Sequence, residues 1–175
     1  MPVSKQDRFL SLYEPVHNRF ERFCRARVYG KMEFRDLMNE TLLVAFEKFD
    51  SLRSEAAFLS FIIGISIRIL ANNSKKKQED YLNKEEHALL IANHGNATSL
   101  DTEIHFLHQA LALLPNEQQE SIILFEIAGF SIREIAEMHN ASEDAVKQRL
   151  KRGRAKLAEI LTFESSLKTG EPDHG

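Results

Sequence analysis

Between Phe58 and Asn73 the chain is apolar on nearly every side of a helix, and that segment dictates the kind of fold around it. A helix with one apolar stripe can lie on a surface, but one that is apolar most of the way round must be enclosed by other helices. Its polar exceptions, Ser60, Gly64, Arg68 and Asn72, recur every four residues, so one narrow stripe escapes enclosure. The most apolar part, Phe58 to Leu70, is interrupted by Ser60, Ser66 and Arg68 and is shorter than the ~20 residues a membrane span requires. No membrane insertion is expected.

The flanking sequence supplies helices to do the enclosing. Phe9, Leu12, Tyr13, Val16, Phe20 and Phe23 fall at helical spacing. Pro15 divides this stripe into a short first helix and a longer second, because proline suits a first turn and damages an interior. Gly30 ends the second helix. Asp36 to Phe49 forms the next, with Leu37, Leu42 or Thr41, Val44, Ala45 and Phe49 facing inward, and Asp50 to Ser54 reads as a loop. With 7 glycines and 4 prolines in 175 residues, the pattern is all-α.

Beyond Lys75-Lys76-Lys77 the composition changes. From Gln78 to Glu103 the chain carries Glu79, Asp80, Glu85, Glu86, Asp101 and Glu103 against Lys84 alone, and Asn93-His94-Gly95-Asn96 breaks any helix crossing it. The expected architecture is two small helical domains joined by a flexible acidic linker. The first spans 1–78, the linker 79–103 with a short helix near 85–93, and a four-helix domain 104–163, ahead of a disordered polar tail over 164–175. Helices of the second domain are expected near 104–113, 117–128, 132–139 and 143–161.

A net charge of −3 argues against a uniformly basic coat but not against a local basic patch, which is what a nucleic acid feels. Cys24 is the only cysteine, so no intrachain disulfide is possible. The N-terminal Met-Pro-Val-Ser-Lys-Gln-Asp lacks the apolar core of a signal peptide, and a cytoplasmic location is expected. His87, His94, His105 and His108 cluster in sequence, yet no cysteine cluster or His-Glu-x-x-His pattern accompanies them. Neither a glycine-rich phosphate loop nor a nucleophile–histidine motif is present. No metal, no cofactor and no enzymatic activity are expected.

The most informative stretch is Gly129 to Leu150. Ser131 and Glu134 have capping-box spacing, so a helix begins sharply after Phe130, with Ile135, Ala136 and Met138 on its inner face. Ala136 is small enough for a second helix to cross closely. Asn140-Ala141-Ser142 is a short turn, and Ser142 is a good cap for the following helix. There Val146, Leu150, Gly153 and Leu157 line one face, while Asp144, Gln148, Lys151, Arg152 and Ala155 line the other, with Lys147 on the flank. Such a helix can place amide, ammonium and guanidinium groups in a major groove. A solvated basic face would carry the same charges, but cap, small residue, short turn and second cap together specify a helix-turn-helix. If about three of Lys147, Arg149, Lys151, Arg152, Arg154 and Lys156 met phosphates, affinity would fall roughly forty-fold between 50 and 200 mM salt. That is too weak to place a protein on a genome by itself, so a second contact or a partner is needed.

Leu113-Leu114-Pro115-Asn116-Glu117-Gln118-Gln119-Glu120, Gly129 to Glu137 and Ala145 to Arg154 resemble the C-terminal domain of sigma-70-family factors, and the length and two-domain layout resemble the extracytoplasmic-function group. The resemblance implies a factor that binds core RNA polymerase, through the β′ clamp helices and the β flap, and directs initiation at promoter DNA. It implies −35 contacts from Lys147, Gln148, Lys151 and Arg152, with Arg149 and Arg154 beside them. Asp36-Leu37-Met38-Asn39-Glu40-Thr41-Leu42 resembles the clamp-docking segment, implying polymerase contacts from Asp36, Asn39 and Glu40. Phe58 to Ile65 resembles the helix whose preceding loop, here 50–57, captures a flipped −10 base. Arg53, Ser54, Ser60, Arg68, Asn72, Lys75 and Lys76 would then meet −10 DNA. Phe61 replaces the family's usual tryptophan, and Arg68 and Asn72 replace its asparagine and aspartate, so docking is a firmer implication than any particular −10 sequence, and the departures leave room for weak or unusual −10 reading. The resemblance leaves room for an anti-sigma partner. Two other readings are a stand-alone helix-turn-helix regulator and a polymerase-binding adaptor that does not melt DNA.

Overall fold

The computed structural model describes residues 2–83 and 99–169, and among these every regular element is helical. The chain divides into two compact units, Met1–Arg25 with Lys31–Ile91, and Ala26–Gly30 with Ala92–Gly175.

In the first unit, α1 (Lys5–Tyr13) is capped by Ser4, whose hydroxyl accepts from the Asp7 N–H at 3.1 Å. Pro15 sits in a 3₁₀ turn, Glu14–Val16, between α1 and α2 (His17–Arg27). Proline thus divides the stripe where its missing N–H does least damage. After Gly30, whose φ of +73° suits a residue without Cβ, come α3 (Phe34–Glu47) and α4 (Phe58–Asn83). Phe9 is the hub of an aromatic core. Its ring meets Phe46, Phe49 and Phe58 edge-on, with centroids 5.5, 5.3 and 5.3 Å away. Leu37, Ala45 and Phe49 are buried as the pattern requires. Thr41 rather than Leu42 completes that face, and Val44 is only half-buried. Cys24 is fully enclosed, and burial, aided by Glu21, pushes its thiol up, so it stays protonated.

By length and composition alone, Glu55–Lys77 is long and apolar enough to cross a membrane, contrary to the length expected from Phe58 to Leu70. Here Phe58, Leu59, Ile62, Ile63, Ile65 and Ile69 are buried inside the unit, as in a core helix. Helix α4 also runs to Asn83, past the expected start of the linker at 79, since no glycine or proline stops it.

The second unit holds α5 (Ser99–Ala112), α6 (Asn116–Ile122), α7 (Ile132–His139) and α8 (Glu143–Thr169). Helix α5 begins within the stretch expected as linker. Helix α8 continues to Thr169 into the expected tail, again with no breaker before Gly170. The short helix expected near 85–93 lies outside the described residues. Helix α6 runs into a π turn, Ile123–Ile127, where the Ala128 N–H donates to the Ile123 carbonyl at 2.9 Å. Gly129, at φ +82°, then redirects the chain into α7. Helices α5, α6 and α7 all pack on α8. The core comprises Leu111, Ile122, Ile123, Leu124, Ile135, Val146 and Leu150.

The segment 26–30 is built into this second unit. Arg27 is buried, and its guanidinium donates to the Glu120 carboxylate at 2.9 Å and to the Gln119 side-chain carbonyl at 3.1 Å. His139 shares a 2.7 Å hydrogen bond with the other Glu120 oxygen. Tyr29 hydrogen-bonds His105 with the rings edge-on.

Candidate nucleic-acid interface

Helix α7 starts where the capping box requires. Ser131 Oγ accepts from the Glu134 N–H, and Glu134 Oε1 accepts from the Ser131 N–H, both at 3.1 Å. Asn140 ends α7 in the left-handed region, φ 49°, a conformation asparagine tolerates better than most residues. Ser142 Oγ accepts from the Ala145 N–H at 3.1 Å and opens α8. The three-residue turn between two local caps fixes the crossing of α7 and α8. Gly153 sets the approach of α6 to α8: a Cβ there would lie 2.6 Å from Ile122 Cδ1.

Helix α8 is divided as its periodicity implies. Val146, Leu150 and Gly153 are buried and Leu157 half-buried, while Asp144, Lys147, Gln148, Lys151, Arg152 and Ala155 are exposed. Two of the expected DNA-facing residues are already engaged. Arg149 is half-buried, with Nε 3.5 Å from the Glu117 carboxylate. Arg154 donates to Glu126 at 2.7 Å and lies 5.2 Å over the Phe125 ring. Gln148, Arg149 and Arg152 also face the N-terminus of α6 across an open hollow of about 350 Å³ lined by Pro115, Asn116, Glu117 and Gln118.

In the first unit, Asp36, Asn39 and Glu40 are exposed on α3. Leu43, one turn on from them, is 63% exposed, an apolar member of that face that sequence reading passed over although its spacing places it there. The loop ahead of α4 consists of two 3₁₀ turns, Phe49–Ser51 and Glu55–Ala57, with Arg53 and Ser54 exposed between them. Ser60 is half-buried and donates to the Ala57 carbonyl at 2.9 Å. Along the same helix Gly64 is half-buried, and Arg68, Asn72, Lys75, Lys76 and Lys77 are exposed, so the polar stripe emerges from the core toward its C-terminal end. Phe61 is half-buried, its ring 6.4 Å from Phe58. Among the described residues no group of three or more histidine, cysteine or acidic side chains could hold a metal ion.

Residues 107–157 match the family described as Sigma-70, region 4. The chain is 26% identical to the ECF RNA polymerase sigma factor SigM of Mycobacterium tuberculosis over 162 residues, covering 93% of this chain and 80% of that one. It is 25% identical to the ECF RNA polymerase sigma factor EcfG of Rhodopseudomonas palustris over 139 residues, 79% of this chain and 76% of that one. In fold it is similar to the sigma factor RpoE from Bartonella quintana, solved in complex with the anti-sigma factor NepR. The TM-score is 0.78 at 24% identity, covering 89% of this chain and 97% of that one.

Proposed function

The chain belongs to the extracytoplasmic-function group of the sigma-70 family, and on that premise we propose how its surfaces divide the work of promoter-specific initiation. Helix α8 enters the major groove of the −35 element, with Gln148 and Arg152 turned to base edges and Lys147 and Lys151 to the flanking phosphates. The observation that carries this is the two-faced burial of α8: Val146 and Leu150 are enclosed, and Lys147, Gln148, Lys151 and Arg152 are all exposed.

Asp36, Asn39 and Glu40 dock on the β′ clamp helices of core polymerase, with Leu43 adding apolar contact. The β flap meets the second unit. Arg53 and Ser54 lie at the mouth of a loop that takes a flipped −10 base, and Arg68, Asn72, Lys75 and Lys76 follow the strand beyond it. Enclosure of the base must offset the few kcal/mol of unstacking. An anti-sigma protein is a further partner, since a sigma factor of this fold was solved with one. The protein acts in the cytoplasm, without enzymatic activity of its own.

Transcription in vitro tests the whole reading. The purified chain with core polymerase is expected to give specific starts, and neither component to do so alone. Binding to an operator without polymerase, or polymerase binding without initiation, would replace this function with a regulator or an adaptor. Substituting Arg53 and Ser54 is expected to lower permanganate reactivity of the opened strand more than closed-complex binding.

A further inference from the structure

One helical turn of α1 grips both ends of the loop that precedes α4. Lys5 Nζ lies 3.6 Å from the Asp50 carboxylate, at the loop's start, and Arg8 Nε lies 3.6 Å from the Glu55 carboxylate, near its end. Phe9, next to Arg8 on the same helix, packs edge-on against Phe49 just before the loop and Phe58 just after it. The two cations also cover the aromatic core, Lys5 at 4.8 Å over Phe46 and Arg8 at 4.9 Å over Phe49. The middle of the loop, Arg53 and Ser54, is left exposed.

We infer that Lys5 and Arg8 are positioning residues for the base-capturing loop: α1 clamps the loop's two ends so that its open middle has a fixed width when DNA arrives. The inference rests on the reading of 50–57 as that loop. A pocket for a flipped base must be held in shape before binding, because ordering it afterwards subtracts from affinity. The 3₁₀ turns at either end supply few backbone bonds to do this. Hydrophobic contact from Phe9 sets the distance between the ends, and the two ion pairs set their orientation. Each ion pair is exposed, so each contributes modestly and is weakened by salt. Neither touches DNA in this scheme; both act through the loop.

A charge-swap cycle tests it. Arg8→Glu, Glu55→Arg and the double variant are compared with wild type on a promoter whose start the wild-type chain has first mapped, with full-length chain and core polymerase. Arg8→Glu is expected to lower permanganate reactivity of the opened strand about three- to fivefold. Affinity for core polymerase and the thermal midpoint stay within error of wild type. The swap restores at least half of the loss, which general destabilisation or a direct DNA contact by Arg8 would not do. Lys5→Glu with Asp50→Lys repeats the cycle at the other end. Opening by Arg8→Glu and Lys5→Glu at wild-type levels, or swaps no better than the single reversals, would overturn the clamp while leaving the sigma-factor reading intact. A wild-type chain that opens no promoter would sink that reading and the clamp with it.

Discussion

Arg27 and Glu120 stand 93 positions apart and meet in a buried ion pair at 2.9 Å inside the second unit. His139, the last residue of α7, completes the network from the opposite side of the carboxylate. A buried pair of this kind contributes little net stability relative to apolar residues, but removing one partner strands the other's charge. Glu120→Gln is therefore expected to destabilise the second unit by about 3 kcal/mol at neutral pH, read as a lower urea midpoint. An unchanged midpoint would mean that the Arg27 charge is solvated.

The same carboxylate makes stability depend on acid. Burial pushes Glu120 up, but the hydrogen bond from His139 and the charge and hydrogen bond of Arg27 outweigh it, leaving the group below its ordinary 4.5. Because the folded value lies below the unfolded one, the unfolded chain binds more protons in between. The contribution is therefore fully present above about pH 4.5 and is lost as pH falls through the folded value. Urea midpoints measured from pH 6 down to 3 should fall for the wild-type chain and fall less steeply for Glu120→Gln.

Gly153 allows a second structural check. A Cβ would collide with the tip of the buried Ile122 and press on Gln118 Cβ at 3.3 Å, a cost that offsets the gain of about 1 kcal/mol in helix propensity of alanine over glycine. Gly153→Ala should accordingly be close to neutral. Gly153→Val adds branched bulk against Ile122 and Gln118 and should cost about 2 kcal/mol. Equal midpoints for the two variants would show that α6 and α8 can separate freely.

What the sequence discloses here is local or periodic. The capping box of Ser131 and Glu134, the Pro15 break and the two faces of α8 each follow from a few neighbouring residues, and each recurs in the structure. Helix ends are less legible: α4 and α8 overrun their apolar patterns because polar residues of good helix propensity continue a helix that packing has already nucleated. The engagement of Arg149 by Glu117 and of Arg154 by Glu126 depends on partners 32 and 28 residues away, which helical periodicity does not register. The Arg27–Glu120 pair is more distant still, and Arg27, one of four arginines between 19 and 27, carries no local sign that sets it apart as buried.

The acidic face of α3 leads to a docking prediction. Asp36 and Glu40 lie one turn apart and are both exposed, so reversing them leaves the buried Leu37, Met38 and Thr41 in place. Asp36→Lys with Glu40→Lys should weaken core-polymerase binding tenfold or more by placing like charges together, about 1.4 kcal/mol per factor of ten. Retention on immobilised core polymerase at wild-type levels would reject this face.

The engagement of two arginines sharpens what should happen on DNA. Arg152 and Lys151 are exposed on the open side of α8, whereas Arg154 is held by Glu126 and Phe125. A cation already paired must break that pair before meeting a phosphate, so its replacement removes less binding. Lys151→Ala with Arg152→Ala should reduce promoter use at least tenfold without loss of polymerase binding. It should also flatten the salt dependence of holoenzyme binding by about 0.9 in slope, for the one phosphate that Lys151 no longer neutralises. Arg154→Ala should change promoter use less than threefold and leave the slope nearly unaltered, while Glu126→Ala, which frees Arg154, should steepen it. If Arg154→Ala were instead as damaging as the double variant, the pair with Glu126 would have to open on DNA, and the groove-facing side of α8 would extend one turn further along the helix.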